Sequence, residues 1–599
     1  MSSIHNLFQQ AELSEAAYAN FVDSAGNLLT NPDDIKAALQ DAGNNMRFSS
    51  TQATAFVSQW RVVNHIPDTA SGFSATLFER LDANEQPTRQ YTFAIRGSTE
   101  VIDFAGADLS LATGGVAFDQ LLSMVNYVLR LQAGSNGTTQ QVELVVGATA
   151  PSLTRNFVSG VDPGINPAHL TISGHSLGGF LGQVYQRLFG STGVYTYNAL
   201  GLIRPNAPVF DQLTNLLGLP PGSFSSGPGE NLLVPGELAH LIGTVQGKPQ
   251  MRVFSETQST TIGPINTIHA HKVSHLTDSL AVYDLVAKLD PALNTTAPAF
   301  GIGKITDILQ AASNKPDLSL EAALDSLRKL FKDSNPSGPT VVPTVTDNRE
   351  QYYQNVIGLQ EGIALHAGTL TLDSIATTSD AQLAGLAQGS GAIAYRYALR
   401  ELNPFAIVGN NDLYSPHNVN GELNLYSPVT GTGLTREYLA DRAEMLGWKN
   451  LFYQKDGNVA LRGDRIESYQ FTDKSIKDDR TGQDLTLTVV GSNSLLIDNP
   501  AKIIFGSDAD ENLIGSDIAA GDRLYGGGGA DTLLGNQGND YLEGGSGNDT
   551  YVWNTGDGFD TILDTDGIGR LVINGRPVSG GIKAAQGDYV NAEKLIRTH

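Results

Sequence analysis

The sequence predicts an α/β domain at the amino end, a mixed α+β region after it, and a repetitive, glycine-rich domain at the carboxyl end. Three observations carry this expectation. Strand-like and helix-like patterns alternate over residues 1–295, as they do in α/β domains. The pentapeptide Gly174-His175-Ser176-Leu177-Gly178 stands between a strand-like and a helix-like run. A nine-residue period runs through residues 506–552, the mark of a repeat architecture.

The elements follow in order. Tyr91, Phe93 and Ile95 alternate with Thr92 and Ala94, which predicts a strand ending at Arg96-Gly97. Leu121, Leu122, Val125, Val128 and Leu129 then recur at helical spacing. Residues 169–173 read as a short strand, and Leu177, Leu181, Val184, Tyr185 and Leu188 as the helix behind it. Gly193–Tyr197 is the next strand, and residues 218–229 are a turn-rich surface excursion. Leu276, Leu280, Tyr283, Val286 and Leu289 mark the helix that closes this domain. Residues 296–347 hold an amphipathic helix through Leu320, Leu324, Leu327 and Phe331, then a Pro/Ser/Gly linker over 333–347. Residues 348–500 mix helical patterns, such as 435–446, with turn-rich stretches. They show no catalytic constellation and are expected to form a packing or spacer domain. The repeats occupy 501–566, and 567–599 forms a carboxyl-terminal flank.

Composition narrows the function. At 599 residues the chain is too long for one core, and roughly two to four domains are expected. It is 40% hydrophobic and 17% charged, with no apolar run long enough to span a membrane. Residues 1–6 show no basic segment ahead of an apolar one, so no cleaved secretory signal is expected. A net charge of −24 argues against nucleic acid as a partner. Residues 501–566 are rich in Asp and Glu and contain only Lys502 and Arg523 as bases, a balance that suits a cation. Cysteine is absent, which excludes disulfides, thiolate metal sites and a cysteine nucleophile.

The pentapeptide carries the chemistry. Strand, G-x-S-x-G, helix is the setting in which a serine becomes a nucleophile. The turn is so tight that its flanks must be small, hence Gly174 and Gly178. Ser176 needs a base within hydrogen-bond reach, and that base needs an orienting acid. In α/β-hydrolase order the acid and the histidine follow the serine. His240, His269, His271 and His275 qualify by order. His271 is preferred because it sits just ahead of the closing helix, with His269 and His275 as alternatives. The carboxylates between Ser176 and His271 are Asp211, Glu230, Glu237 and Glu256. Glu237 ranks first because it follows a strand-like Leu232-Leu233-Val234, and strand ends carry the chemistry of such sheets; Asp211 is the alternative acid. The oxyanion requires preorganised N–H donors. Leu177, directly after the nucleophile, supplies one, and Ser98, in the turn after the strand 91–95, supplies the second.

These residues resemble a class 3 (fungal-type) lipase domain. Ile95-Arg96-Gly97-Ser98, the segment from Asp103 to Leu109, and Gly174-His175-Ser176-Leu177-Gly178-Gly179 stand where that family carries its motifs. The stretch His271-Lys272-Val273-Ser274-His275-Leu276-Thr277-Asp278 is similar to a segment of bacterial relatives. The resemblance implies an α/β-hydrolase fold, Ser176 as nucleophile, Ser98 as oxyanion donor and a lid within residues 99–115. Ile95 replaces the usual Phe, and no D-x-V-P segment marks the acid.

The repeats run Gly526 to Leu534, Gly535 to Glu543 and Gly544 to Val552, with a degenerate unit from Gly506 and an insertion near Ala519-Ala520. Glycine permits tight turns, an apolar residue in each turn fills a core, and an aspartate offers oxygens to a hard cation. The units resemble the RTX calcium-binding repeat, which implies a parallel β-roll. The implied calcium residues are Asp531, Asp540, Asp549 and, in the degenerate unit, Asp510 beside Glu511, with Gly527, Gly529, Gly538 and Gly547 shaping the turns. The resemblance also implies export without an amino-terminal signal, by type I secretion machinery, although residues 592–599 lack the expected apolar ending. The expectation is a secreted, calcium-stabilised ester hydrolase acting on lipid at an interface. It is foremost a triacylglycerol lipase, with a phospholipase A1 as the rival; a calcium-dependent adhesin with an inert hydrolase-like domain is the reading of another class.

Overall fold

The computed structural model describes residues 3–41, 47–97, 118–146, 151–201, 215, 229–234, 250–255, 271–315, 318–331, 345–366, 368–454, 459–461, 468–491, 499–578, 582–585, 588–590 and 597–598. The chain forms two compact units: Met1–Gln310 with Pro316–Leu372, and Ala311–Lys315 with Asp373–His599.

Among the described residues the first unit holds nine strands: β1 (Trp60–Ile66), β2 (Ala75–Leu81), β3 (Pro87–Ile95), β4 (Thr138–Val146), β5 (Pro151–Ser159), β6 (Thr171–His175), β7 (Gly193–Tyr197), β8 (Gly229–Leu233) and β9 (Gln250–Arg252). Seven of them form one sheet in the order β1-β2-β3-β6-β7-β8-β9, and β4 and β5 pair as a separate hairpin. β1, β2 and β3 are antiparallel, whereas β3, β6, β7, β8 and β9 run parallel. Every residue of β7 is buried, as expected of a parallel strand covered on both faces. Helices Phe118–Ala133 and Leu177–Phe189 pack Leu121, Met124, Val125, Val128, Phe180, Leu181 and Val184 against Leu77, Phe93, Ile172 and Val194. Helices Ile4–Ala16 and Val273–Leu289 lie against each other, and the first also contacts β3, β6 and β7. Parallel strands joined by helices all end at one edge. There Ile95 pairs with Gly174 and His175 with Tyr197, which brings the ends of β3, β6 and β7 together.

The strand expected at 169–173 begins at Thr171 and runs on through Gly174 and His175. Pro167–His169 turn instead as a single 3-10 turn, capped by Asn166, whose side chain accepts from the Ala168 N–H at 3.1 Å. The closing helix starts at Val273, ahead of Leu276. Helix Val345–Ala364 begins inside the expected linker and belongs to the first unit, where it packs on Val273–Leu289.

In the second unit, helix Arg436–Gln454 extends well beyond the expected 435–446, with the Thr435 hydroxyl accepting from the Tyr438 N–H at 3.1 Å. Strands Tyr469–Lys477 and Asp484–Val490 pair antiparallel, and Tyr469–Lys477 also pairs parallel with Ala501–Phe505. From there two parallel sheets wind side by side. One holds Ala501–Phe505, Arg523–Gly528, Tyr541–Ser546 and Thr561–Leu563; the other holds Asn512–Ile514, Thr532–Leu534, Thr550–Trp553 and Arg570–Ile573. Arg523 pairs with Tyr541 and Thr532 with Thr550, so one coil spans two repeat units. Ile504, Leu513, Leu524, Leu533, Leu542 and Tyr551 fill the space between the sheets, with Leu571 against them. This arrangement is compatible with the expected β-roll. The winding does not stop at residue 566: the last coil pairs Thr550–Trp553 with Arg570–Ile573. No helix among the described residues is long and apolar enough to cross a membrane.

Candidate active site and calcium-binding repeats

Ser176 occupies the turn between β6 and helix Leu177–Phe189 with φ 54° and ψ −124°. A non-glycine residue takes this conformation at a cost, and such strain is concentrated at functional sites. The flanks show why both must be glycine. A Cβ on Gly174 would come within 2.4 Å of the Gly178 carbonyl oxygen, and one on Gly178 within 2.1 Å of the Ile95 carbonyl oxygen. The helix therefore starts hard against the end of β3. Its first residue, Leu177, has no carbonyl a turn earlier to accept its N–H.

His271 Nε2 lies 2.8 Å from Ser176 Oγ. The histidine approaches from the residue just ahead of helix Val273–Leu289, whose amino-terminal cap is Lys272. His275 is inside that helix. The His271 backbone is held from below. Its carbonyl oxygen accepts from His175 Nε2 at 2.6 Å and from Asn198 Nδ2 at 3.3 Å. Asn198 Oδ1 in turn accepts from the Val234 N–H at 3.0 Å, which ties the ends of β7 and β8 to the same point. Since a carbonyl can only accept, the His175 proton is on Nε2, and Nδ1 accepts from the Tyr18 hydroxyl at 2.7 Å. Burial first, then electrostatic opposition from the neighbouring His271 ring, holds His175 well below the ordinary histidine range, so it is neutral. The Gly97 N–H donates to the Tyr18 hydroxyl, and a Cβ on Gly97 would meet that hydroxyl and the His175 carbonyl oxygen at 2.6 Å each. One hydrogen-bonded chain thus runs from the β3 turn through Tyr18 and His175 to His271.

The structure brings together Ser176, Leu177 and His271. Ser98, Glu237, Asp211, His240, His269 and the expected lid at 99–115 lie outside the described residues. Tyr18, His175 and Asn198 escaped the sequence reading. His175 sits inside the pentapeptide, but nothing local marks Tyr18 or Asn198, whose partners are distant in the chain.

In the roll, each rung carboxylate reaches one coil back. Asp531 Oδ1 accepts from the Glu511 N–H at 2.8 Å, Asp540 from Asp522 at 2.6 Å, Asp549 from Asp531 at 2.9 Å and Asp560 from Asp540 at 3.1 Å. In this register Glu511 stands level with Asp531, because Asn512 pairs with Thr532. Asp510 instead accepts from the Ala530 N–H at 2.7 Å. Asp522 and Asp560 were missed because each lies in a coil lengthened by two residues, Ile503 pairing with Arg523 and Tyr541 with Thr561. The signal was present in the aspartates two residues ahead of Leu524 and Ile562.

The carboxylates fit a hard cation. The Oδ2 atoms of Asp531, Asp540, Asp549 and Asp560 are buried without a hydrogen-bond partner, a costly state for an anion. Burial pushes the Asp531 and Asp540 carboxyls up to about 7, with the neighbouring carboxylates adding to the rise. Asp522 and Glu511 differ. Their second oxygens accept from the Ser516 N–H at 2.5 Å and the Ser507 N–H at 2.7 Å, so the protein itself satisfies them. Gly527, Gly529, Gly538 and Gly547 all take positive φ. At Gly547 a Cβ would fall 1.7 Å from the Gly529 carbonyl oxygen, so successive turns stack with no room for a side chain. No group of three acidic or histidine side chains converges among the described residues. An ion needing six or more oxygens must therefore draw chiefly on main-chain carbonyls and water, with Asp531, Asp540, Asp549 and Asp560 supplying the charge.

Comparison with known proteins agrees with this part of the chain. The family described as the RTX calcium-binding nonapeptide repeat (4 copies) matches residues 519–551. A search of curated proteins finds no match. The carboxyl-terminal region carries RTX repeats, which bind calcium and are typical of secreted proteins.

Proposed function

We propose that the first unit is a serine carboxylic ester hydrolase of the α/β-hydrolase type, and that its activity is that of a triacylglycerol lipase. One observation carries the reading: Ser176 Oγ, on a strained strand-to-helix turn, is 2.8 Å from His271 Nε2. That is the spacing a general base needs to take the hydroxyl proton. Ser176 attacks the ester carbonyl, His271 takes the proton and returns it to the leaving alcohol, and water then hydrolyses the acyl-enzyme. The oxyanion rests on the N–H groups of Leu177 and Ser98. Gly97, the residue before Ser98, is already packed against Ser176, its Cβ position 3.1 Å from the serine Cβ.

Glu237 is the preferred acid, with Asp211 as the alternative. Tyr197 pairs with Leu232, so β8 leaves the sheet at the edge where Ser176 stands. Glu237 follows three residues after Val234, which Asn198 anchors to that edge. The RTX repeats support a secreted enzyme, exported by type I machinery and stabilised by external calcium.

The test is hydrolysis of a p-nitrophenyl ester by the full chain and by Ser176→Ala, with emulsified triglyceride and phospholipid as further substrates. Loss of activity on the order of 10⁴-fold or more is expected in the variant. Unchanged hydrolysis in Ser176→Ala would overturn the assignment. Faster turnover of phospholipid than of triglyceride would favour a phospholipase A1.

A further inference from the structure

The stretch expected to be only a packing or spacer domain holds a cleft. It lies within the second unit, between the loop 376–380 and one face of helix Arg436–Gln454, and has a volume of about 440 Å³. That is an ordinary size for a small-molecule site. Glu444, Gly447, Trp448, Leu451 and Gln454 line it at helical spacing. Helix Asp380–Ala387 packs on Arg436–Gln454 and follows the loop of the opposite wall. Ser379 caps that helix, its hydroxyl accepting from the Gln382 N–H at 3.4 Å, which holds the loop in place.

The helix wall is set before anything binds. Trp448 Nε1 donates to the Tyr469 hydroxyl at 3.0 Å, and that hydroxyl donates to Glu444 Oε1 at 2.5 Å. A phenol has one proton, so the direction of both bonds is fixed. The indole also stacks on Phe452, with ring centroids 5.7 Å apart. An aromatic ring and a carboxylate that are already oriented cost a ligand little ordering. Gly447 stands between them in the chain. Nothing lies within 4 Å of where its Cβ would be, so this helical glycine leaves the floor of the cleft open. Most other residues would favour the helix more, but a large one would fill the space.

The polar groups specify the ligand class. The lining holds two carboxylates, Asp380 and Glu444, and no lysine or arginine, which disfavours an anion. Thr377, Thr378 and Gln454 also line it, and their side chains make no hydrogen bond among the described residues. Hydroxyls and an amide both donate and accept, a carboxylate only accepts, and an indole offers a flat apolar surface. A sugar ring answers all three: its hydroxyls donate and accept, and its C–H face packs on an aromatic ring. An organic cation would answer the carboxylates and leave the donors unmatched. We propose that this cleft binds a neutral saccharide, with Trp448 as the platform under the sugar ring and Asp380 and Glu444 as acceptors for its hydroxyls.

The full chain is titrated by calorimetry and by saturation-transfer NMR with glucose, galactose, mannose, N-acetylglucosamine and the 1,4-linked disaccharide of each, and with choline as a cationic probe. At least one saccharide should bind saturably. Trp448→Ala should weaken that binding by about tenfold or more, and Gly447→Leu should abolish it by filling the cleft. Absence of saturable binding by every sugar, binding of choline alone, or binding unchanged in both variants would overturn the proposal. If Trp448→Ala does not fold, Gly447→Leu decides: lost saccharide binding upholds the site, and retained binding overturns it.

Discussion

His175 Nε2 lies 2.6 Å from the main-chain carbonyl oxygen of His271. The residue beside the candidate nucleophile therefore holds the backbone of its candidate base, and a serine and a histidine far apart in sequence share one support. Tyr18 completes it, donating to His175 Nδ1 and accepting from Gly97. Tyr18→Phe removes both bonds and keeps the ring. Losing a buried hydrogen bond typically costs about 1–3 kcal/mol. Expressed in the barrier this is about a tenfold loss of kcat or more. KM for a soluble short-chain ester should stay nearly constant, since Tyr18 is placed behind the reacting atoms. Titration of active serines with an organophosphate separates the two explanations: a purely structural role would lower the active fraction and leave kcat per active serine unchanged.

Gly178 and Gly447 should respond to alanine with opposite signs. A Cβ at Gly178 meets the Ile95 carbonyl oxygen at 2.1 Å, main chain against main chain, and neither β3 nor the helix can give way cheaply. Gly178→Ala should destabilise the first unit by about 3 kcal/mol or more. Gly447 lies inside helix Arg436–Gln454 with nothing within 4 Å of its Cβ position. Gly447→Ala should therefore stabilise the second unit by about 0.5–1 kcal/mol, through helix propensity and a less free unfolded chain. Urea denaturation of both variants checks the two signs.

The contrast also shows how far the sequence could be read. The turn at Ser176 was legible because its demands are local: a strand, two small flanks and a helix within one short stretch. His271 was legible only as a candidate, since order along the chain narrows the histidines but contact selects among them. Tyr18 and Asn198 were not legible, because their roles exist only once β3, β6, β7 and β8 end at one edge. In the roll, Asp531, Asp540 and Asp549 stood out by strict period. Asp522 and Asp560 hid behind lengthened coils, and the level of Glu511 with Asp531 required the register. Local chemistry is written in the residues; which distant residues share it is decided by packing.

Arg349 closes a buried ion cluster. Its guanidinium donates to Glu15 at 2.9 Å and to Asp278 at 2.6 Å, joining helix Val345–Ala364 to helices Ile4–Ala16 and Val273–Leu289. Tyr353 also donates to Asp278, at 2.9 Å. Burial pushes Glu15 up to about 7 even with Arg349 opposing it, and raises Asp278 as well. Arg349→Met would leave two buried carboxylates without a counter-charge, at a cost of about 3–5 kcal/mol. Those carboxylates can escape by binding protons, which the folded state then holds more tightly than the unfolded one. Stability of the variant should therefore recover as pH falls. Urea midpoints at pH 8 and pH 6 test this: the deficit should be larger at pH 8.

Calcium and protons should compete for the roll. The Asp531 and Asp540 carboxyls rise from 3.8 to about 7, with burial the first cause. A group whose folded value is raised contributes stability that is full below its unfolded value and is lost as pH climbs through the folded one. The calcium-free roll should thus be most stable in acid and weaken progressively between about pH 4 and pH 7. Calcium replaces those protons, so binding should release protons and tighten as pH rises over the same window. Each ion bound only by the folded roll adds about 2.7 kcal/mol at a hundredfold excess over its Kd. Thermal melts of calcium-free, dialysed protein should give a lower Tm for the second unit at pH 8 than at pH 5.5. Saturating calcium should raise the Tm at both values, and more at pH 8, because fewer protons must be displaced there. A calcium-free Tm that rose from pH 5.5 to pH 8 would show that these carboxylates are not held, buried and uncompensated, in the folded coil.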